Sequence, residues 1–198
     1  MSYYTIALFV HIVGVIVVFA ATAVESLCLH RLRGSTTTDQ LKEWASLSKT
    51  TAMLSSLGGG TTVITGIYLS LAVWGLTVPW IGLSLAGVAV MAVLGRVVNS
   101  RRLEAIAAAT ETEPSGPIPA ELSGRVHDPV LLASVHTVAA LGLGVVFLDV
   151  AKPELAGSLA ALAVAVIVGV LSAPLASRRG GVPVQDRPIS PAVASERS

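Results

Sequence analysis

The sequence predicts an all-α protein, a polytopic transmembrane bundle of five spans. Three observations carry that prediction. Hydrophobic residues make up 53% of the chain and charged residues only 13%, about half the charge of an ordinary soluble domain. Long stretches contain no Asp, Glu, Lys or Arg at all. Those stretches are continuously apolar rather than alternating, which selects helices over a lipid-spanning barrel. The mean hydropathy of +0.77 agrees. This composition excludes a disordered chain, a nucleic-acid binder and an ordinary soluble enzyme.

The first charge-free stretch runs from Met1 to Val24, enough for one crossing at about 20 residues. No Lys or Arg precedes it, so it is expected to be a retained span rather than a cleaved leader. The next, Thr50 to Gly95, is too long for one helix. It divides at Trp74-Gly75-Leu76-Thr77-Val78-Pro79-Trp80, where Pro79 opens a new helix. A fourth span begins with Asp128 as N-cap and Pro129 at the first helical position. Lys152-Pro153-Glu154 then forms a turn into the fifth. The expected spans are about 3–28, 49–74, 79–103, 129–150 and 155–177, within a membrane domain of residues 1–177. Residues 178–198, rich in Gly, Pro and Ser, are expected to be a disordered cytoplasmic tail.

Twelve of the thirteen Lys and Arg residues fall in the loop after span one, the loop after span three and the tail. Only Lys152 falls on the other side. The positive-inside rule then sets the N-terminus outside and the C-terminus inside. Tyr3, Tyr4, Trp74 and Trp80 share the outer level, as an aromatic belt would. The expected setting is the inner membrane of a bacterium, with the lipid bilayer as the main partner. Homo-oligomerisation or a membrane partner stays open.

Two segments lie outside lipid. In residues 35–49, Thr37 and Gln40 fit a capping box, and Leu41, Trp44 and Leu47 recur at helical spacing. The segment reads either as a surface helix for a partner or as an extension of span two. In residues 104–128, four glutamates and three prolines break a helix expected to end near Ala109. This loop reads as a lid or as a mobile connection.

Ionisable groups inside a bilayer are costly, so each needs an account. His11 lies in the outer third of span one and Glu25 in its inner third. Their spacing of fourteen residues returns to nearly the same helix face about 21 Å further along. The face reads as a track for a proton or ligand, or as polar groups that hold the bundle. His136, two turns into span four, lies closer in depth to Glu25 and is expected to pair with it. His30, His127, Asp128 and Asp149 fall at or near the interfaces. The one cysteine, Cys28, reads as a small buried hydrophobe.

Haem b is the candidate cofactor, with His11 as candidate metal ligand. A bis-His site is disfavoured, since His11 and His136 differ in depth by about 10 Å. Gly58, Gly59 and Gly60 form the candidate surface for a flat cofactor, because adjacent glycines expose backbone. The same run reads as tight helix crossing, with Ser55/Gly59 and Ser56/Gly60 as small-xxx-small pairs.

Several short stretches carry a family resemblance. His11-Ile12-Val13-Gly14, Phe19-Ala20-Ala21 and His30-Arg31-Leu32-Arg33 resemble the first helix of an uncharacterised bacterial integral-membrane family. More distantly they resemble HemJ-type protoporphyrinogen oxidases and copper-resistance-D-like proteins. Gly66-Ile67-Tyr68-Leu69, Pro79-Trp80-Ile81 through Arg101-Arg102-Leu103, and Val146-Phe147-Leu148 through Lys152-Pro153 are similar to the first of these. The likeness covers about residues 3–175. The HemJ-type resemblance implies a haem ligand at His11. That pattern also has a Lys early in the third helix, where this chain has Ser84. Two functional expectations follow: a haem-binding or redox-associated membrane protein, and a non-enzymatic component such as a permease or assembly factor.

Overall fold

A computed structural model describes residues 2–179, with side chains placed through Ala173. The described chain is helical throughout, with no strand beyond an isolated bridge between Thr37 and Pro117. The helices are α1 (Tyr3–Arg33), α2 (Thr38–Val73), α3 (Pro79–Val93), a π-helical turn (Leu94–Ser100), α4 (Arg101–Thr112), α5 (Ala120–Val126), α6 (Pro129–Ala151) and α7 (Leu155–Arg179). Among the described residues, five helices are long and apolar enough to cross a membrane. The tail expected to be disordered lies, from residue 180 on, outside the described residues.

The caps follow from the sequence. Ser2 accepts from the Thr5 amide, and Asp128 from the Val130 amide at 2.8 Å. The α1 helix closes on Gly34 with His30, Arg31 and Arg33 in its last turn, where cations suit the helix dipole. Thr37 caps α2 by accepting from the Gln40 amide. The Gln40 side chain reaches back to the Thr36 amide, one residue before the position of a regular capping box. Residues 38–49 are therefore not a separate surface helix. They are the first three turns of a 36-residue α2, because nothing between Thr38 and Val73 breaks the helix.

Span three likewise runs on through the π turn to Thr112, further than residue 103. At the opposite end Gly75 supplies the left-handed turn (φ 77°) before Pro79 starts α3. Lys152, also left-handed at φ 48°, ends α6. Its ammonium lies 4.4 Å from the Trp74 ring centre and 5.9 Å from that of Trp80.

Two helix groups are visible. The α1 and α2 helices pack on one another as an antiparallel pair. The α3, α6 and α7 helices pack mutually as a triplet. The α1 helix joins the groups by resting on α6, where the Phe19 ring meets Gly142. The α6 helix is central, touching α1, α3, α7 and the π turn, while α2 packs on α1 and α4.

The largest buried core gathers at the basic end, where most of the arginines lie. Leu29 and Leu32 of α1, Leu41 of α2, Ile106 of α4, Leu122 and Val126 of α5, and Leu131 of α6 meet there. The segment between α4 and α5 straps this end together. Thr38 donates its amide to the Gly116 carbonyl at 3.0 Å and its hydroxyl to the Pro114 carbonyl at 2.9 Å. Lys42 donates to the Glu113 carbonyl at 3.0 Å, and Arg102 pairs with Asp128. A segment held this way is a clasp rather than a lid.

Candidate functional site

The α1–α2 pair is built on a heptad seam. On α1 the residues turned inward are His11, Gly14, Val18, Ala21, Glu25, Cys28 and Leu32, spaced four and three apart. On α2 they are Ser48, Thr51, Ser55, Gly58, Thr62 and Thr65, with the same spacing. That period is the signature of left-handed helix pairing. It brings His11 and Glu25, two heptads apart, onto one line. Hydroxyls and glycine on α2 replace the usual bulky residues, so the backbones approach closely. A Cβ at Gly14 would come within 2.6 Å of the Thr62 hydroxyl, and one at Gly58 within 2.9 Å of Val17.

His11 anchors one end of the seam. Its Nδ1 lies 3.0 Å from the Thr62 carbonyl and 3.1 Å from the Thr65 hydroxyl. A carbonyl only accepts, so Nδ1 carries the proton and Nε2 is the uncommitted nitrogen. Gly66 makes room for the ring, since a Cβ there would meet Cε1 at 3.1 Å. Asp149 of α6 lies within electrostatic reach of His11. The Ser84 hydroxyl of α3 donates to that carboxylate at 3.0 Å. Three elements thus contribute to one polar cluster: α1 with His11, α3 with Ser84, and α6 with Asp149.

The seam's register pairs His11 with Thr65, Gly14 with Thr62 and Cys28 with Ser48. Carried along by heptads, it sets Thr51 across from Glu25. The Glu25 side chain lies beside Asn99, which belongs to the π turn. Asn99 is 2% exposed, and its Oδ1 has no hydrogen-bond partner.

The expected Glu25–His136 pair is not formed among the described residues. His136 turns toward α7, where its Nδ1 donates to the Ser172 hydroxyl at 2.8 Å. That hydroxyl spends its own proton on the Gly169 carbonyl. Glu25 faces the seam and the π turn instead. The charge that reaches His136 is that of Arg33.

The three glycines divide. Gly58 lies in the seam, whereas added side chains at Gly59 and Gly60 would meet open space. A groove of about 240 Å³ runs between α1 and α2, lined by Phe9, Val10, Val13, Gly14, Val17 and Gly58 among others. Neither the His11 ring nor Gly59 and Gly60 line it. It is smaller than the ~300–1,000 Å³ sites that hold compact organic ligands. The groove is thus separate from the His11 ring. Among the described residues no three His, Cys, Asp or Glu side chains converge as a metal site.

Sequence reasoning located His11 and Glu25 but missed three partners. Asp149 looked interfacial, yet a negative charge in the last turn of a helix opposes the dipole. That misfit was the available signal. Ser84 and Asn99 offered none, because their importance depends on helix packing and on the π turn. No protein-family model, curated protein or solved structure matches the chain.

Proposed function

We propose that this multi-pass membrane protein is a non-enzymatic component that passes a proton or small cation along the α1–α2 seam. His11 and Glu25 are the two stations, and the basic end faces the cytoplasm of a bacterium. The observation that carries the reading is the single heptad line joining His11 to Glu25, flanked by the α2 hydroxyls. Ionisable groups within spans are costly and recur along ion and proton paths. The Asp149–Ser84 pair lies within electrostatic reach of the first station. The twelve-to-one division of Lys and Arg supports the orientation.

The test is flux in liposomes holding a pH-sensitive dye, with an imposed potassium diffusion potential. Wild type is expected to acidify or alkalinise the lumen according to the sign of the potential. His11→Ala and Asp149→Asn are expected to lose at least tenfold in rate. Flux equal to that of protein-free liposomes, under both proton and sodium gradients, overturns the reading.

A second reading has one observation in its favour. The Nδ1 of His11 is held by a carbonyl, as in histidines that ligate metal through the other nitrogen. Absorption spectra of purified protein, oxidised and dithionite-reduced, test it beside His11→Ala. A Soret band with reduced α and β bands, lost in the variant, would establish haem b. A colourless protein after haem-replete expression removes this reading.

A further inference from the structure

We propose that Glu25, Asn99, Thr51 and Ser48 form a binding site for a small monovalent cation of the sodium class. The inference rests on the reading of the seam as a cation path and names its cargo. The first observation is Asn99 itself. Its side chain is buried, and Oδ1 accepts nothing. An acceptor orphaned at that depth is costly and calls for an ion or water to satisfy it.

The second observation is the turn that carries it. A π-helical stretch interrupts the otherwise continuous helix from Pro79 to Thr112. Such turns are rare, weaken the hydrogen-bond ladder and recur at functional sites. Here the widened turn sets Asn99 beside the Glu25 carboxylate.

The third observation concerns the α2 hydroxyls. Thr51 is buried and donates its proton to the Leu47 carbonyl at 2.9 Å. Ser48 is buried and donates to the Trp44 carbonyl at 3.0 Å. Both oxygens have therefore spent their donors on their own helix and keep only lone pairs for the seam. Cys28 lies across the seam from Ser48.

Near Glu25 the seam thus gathers its carboxylate, the Asn99 amide, whose N–H side meets the carboxylate while Oδ1 stays unpartnered, the Thr51 hydroxyl with its proton committed and, one turn along, that of Ser48. No Lys, Arg or His forms an ion pair with Glu25 among the described residues. Acceptor-only oxygen sets suit hard cations. One carboxylate supplies one negative charge, which matches a monovalent ion. Calcium-class sites commonly combine several carboxylates.

The experiment is equilibrium binding of ²²Na⁺ to the purified full chain in detergent. Saturable binding near one ion per chain is expected, displaced by unlabelled sodium or lithium but not by choline. Asn99→Leu and Glu25→Gln are expected to lose binding at least tenfold. Thr51→Val, a milder change, is expected to weaken it several-fold with helicity and elution volume unchanged. Ser56→Ala, on the exposed face of α2, is expected to bind as wild type does. Absence of saturable binding to folded wild type overturns the proposal. So does binding that survives both Glu25→Gln and Thr51→Val in folded protein. Sodium binding without flux would uphold the site and remove the conduction reading. Proton flux without sodium binding would do the reverse.

Discussion

The basic end of the molecule and the α1–α2 seam solve the problem of holding helices together in different ways. At the basic end, side chains from α1, α2, α4, α5, α6 and α7 meet in an apolar core, and a hydrogen-bonded clasp closes over it. Along the seam, two helices meet through glycine and hydroxyls, and apolar bulk is turned outward toward lipid. At the first site bulky apolar side chains from several helices bury one another. Between lipid-facing helices apolar contact offers little gain over lipid itself, so close backbone approach and polar contacts take over. The apolar cohesion of the basic end and the His11–Glu25 line of the seam thus occupy different stretches of the helices.

The largest expected effect separates the two by cavity formation. Leu131 is fully buried in the basic-end core, and Ile64 on α2 is 72% exposed. Leu131→Ala is expected to cost about 2–5 kcal/mol. Ile64→Ala is expected to change stability by less than about 0.5 kcal/mol. Unfolding titrations in mixed micelles measure both. Equal losses would break the distinction between core and lipid face.

A smaller effect is expected along the seam. Gly14→Val places atoms against the Thr62 hydroxyl and is expected to cost about 1–3 kcal/mol by overpacking. Gly60→Ala has open space around it and is expected to stabilise α2 by up to about 1 kcal/mol. The same titrations read the pair, and opposite signs are the prediction.

How much of this was legible in the sequence differs between the same two regions. The spans, the Pro79 and Asp128 starts and the Lys152 turn follow from hydropathy and local turn chemistry, which are read residue by residue. The shared face of His11 and Glu25 was also visible, as a periodicity. Pairings across helices were not. Glu25 meets Asn99 and His136 meets Ser172 because of how α1, the π turn and α7 rotate against their neighbours. Depth along a span, which the sequence does carry, is insufficient to choose between partners at the same level. The α4–α5 segment reads as a loop because its bonds are to residues some seventy positions earlier.

The smallest expected effect lies at the tryptophan end. Lys152→Met removes a cation from between Trp74 and Trp80 while keeping the chain's length. A loss of about 0.5–1 kcal/mol is expected, with a change in tryptophan emission. An unaltered spectrum would mean that the cation does not sit against the rings in solution.

The clasp also bears on the order in which the protein is made. Residues 38 and 42 find their partners only at 113–116, so the start of α2 must wait for two further helices to be synthesised. The α1–α2 hairpin, by contrast, has its seam complete as soon as residue 66 is out. A nascent chain can therefore enter the bilayer as a closed hairpin while its base is still open. Closure of the base at residue 116 then becomes a late checkpoint for the whole assembly. Truncations ending before and after that residue would differ in protease sensitivity at α2's first turns and agree elsewhere in the hairpin.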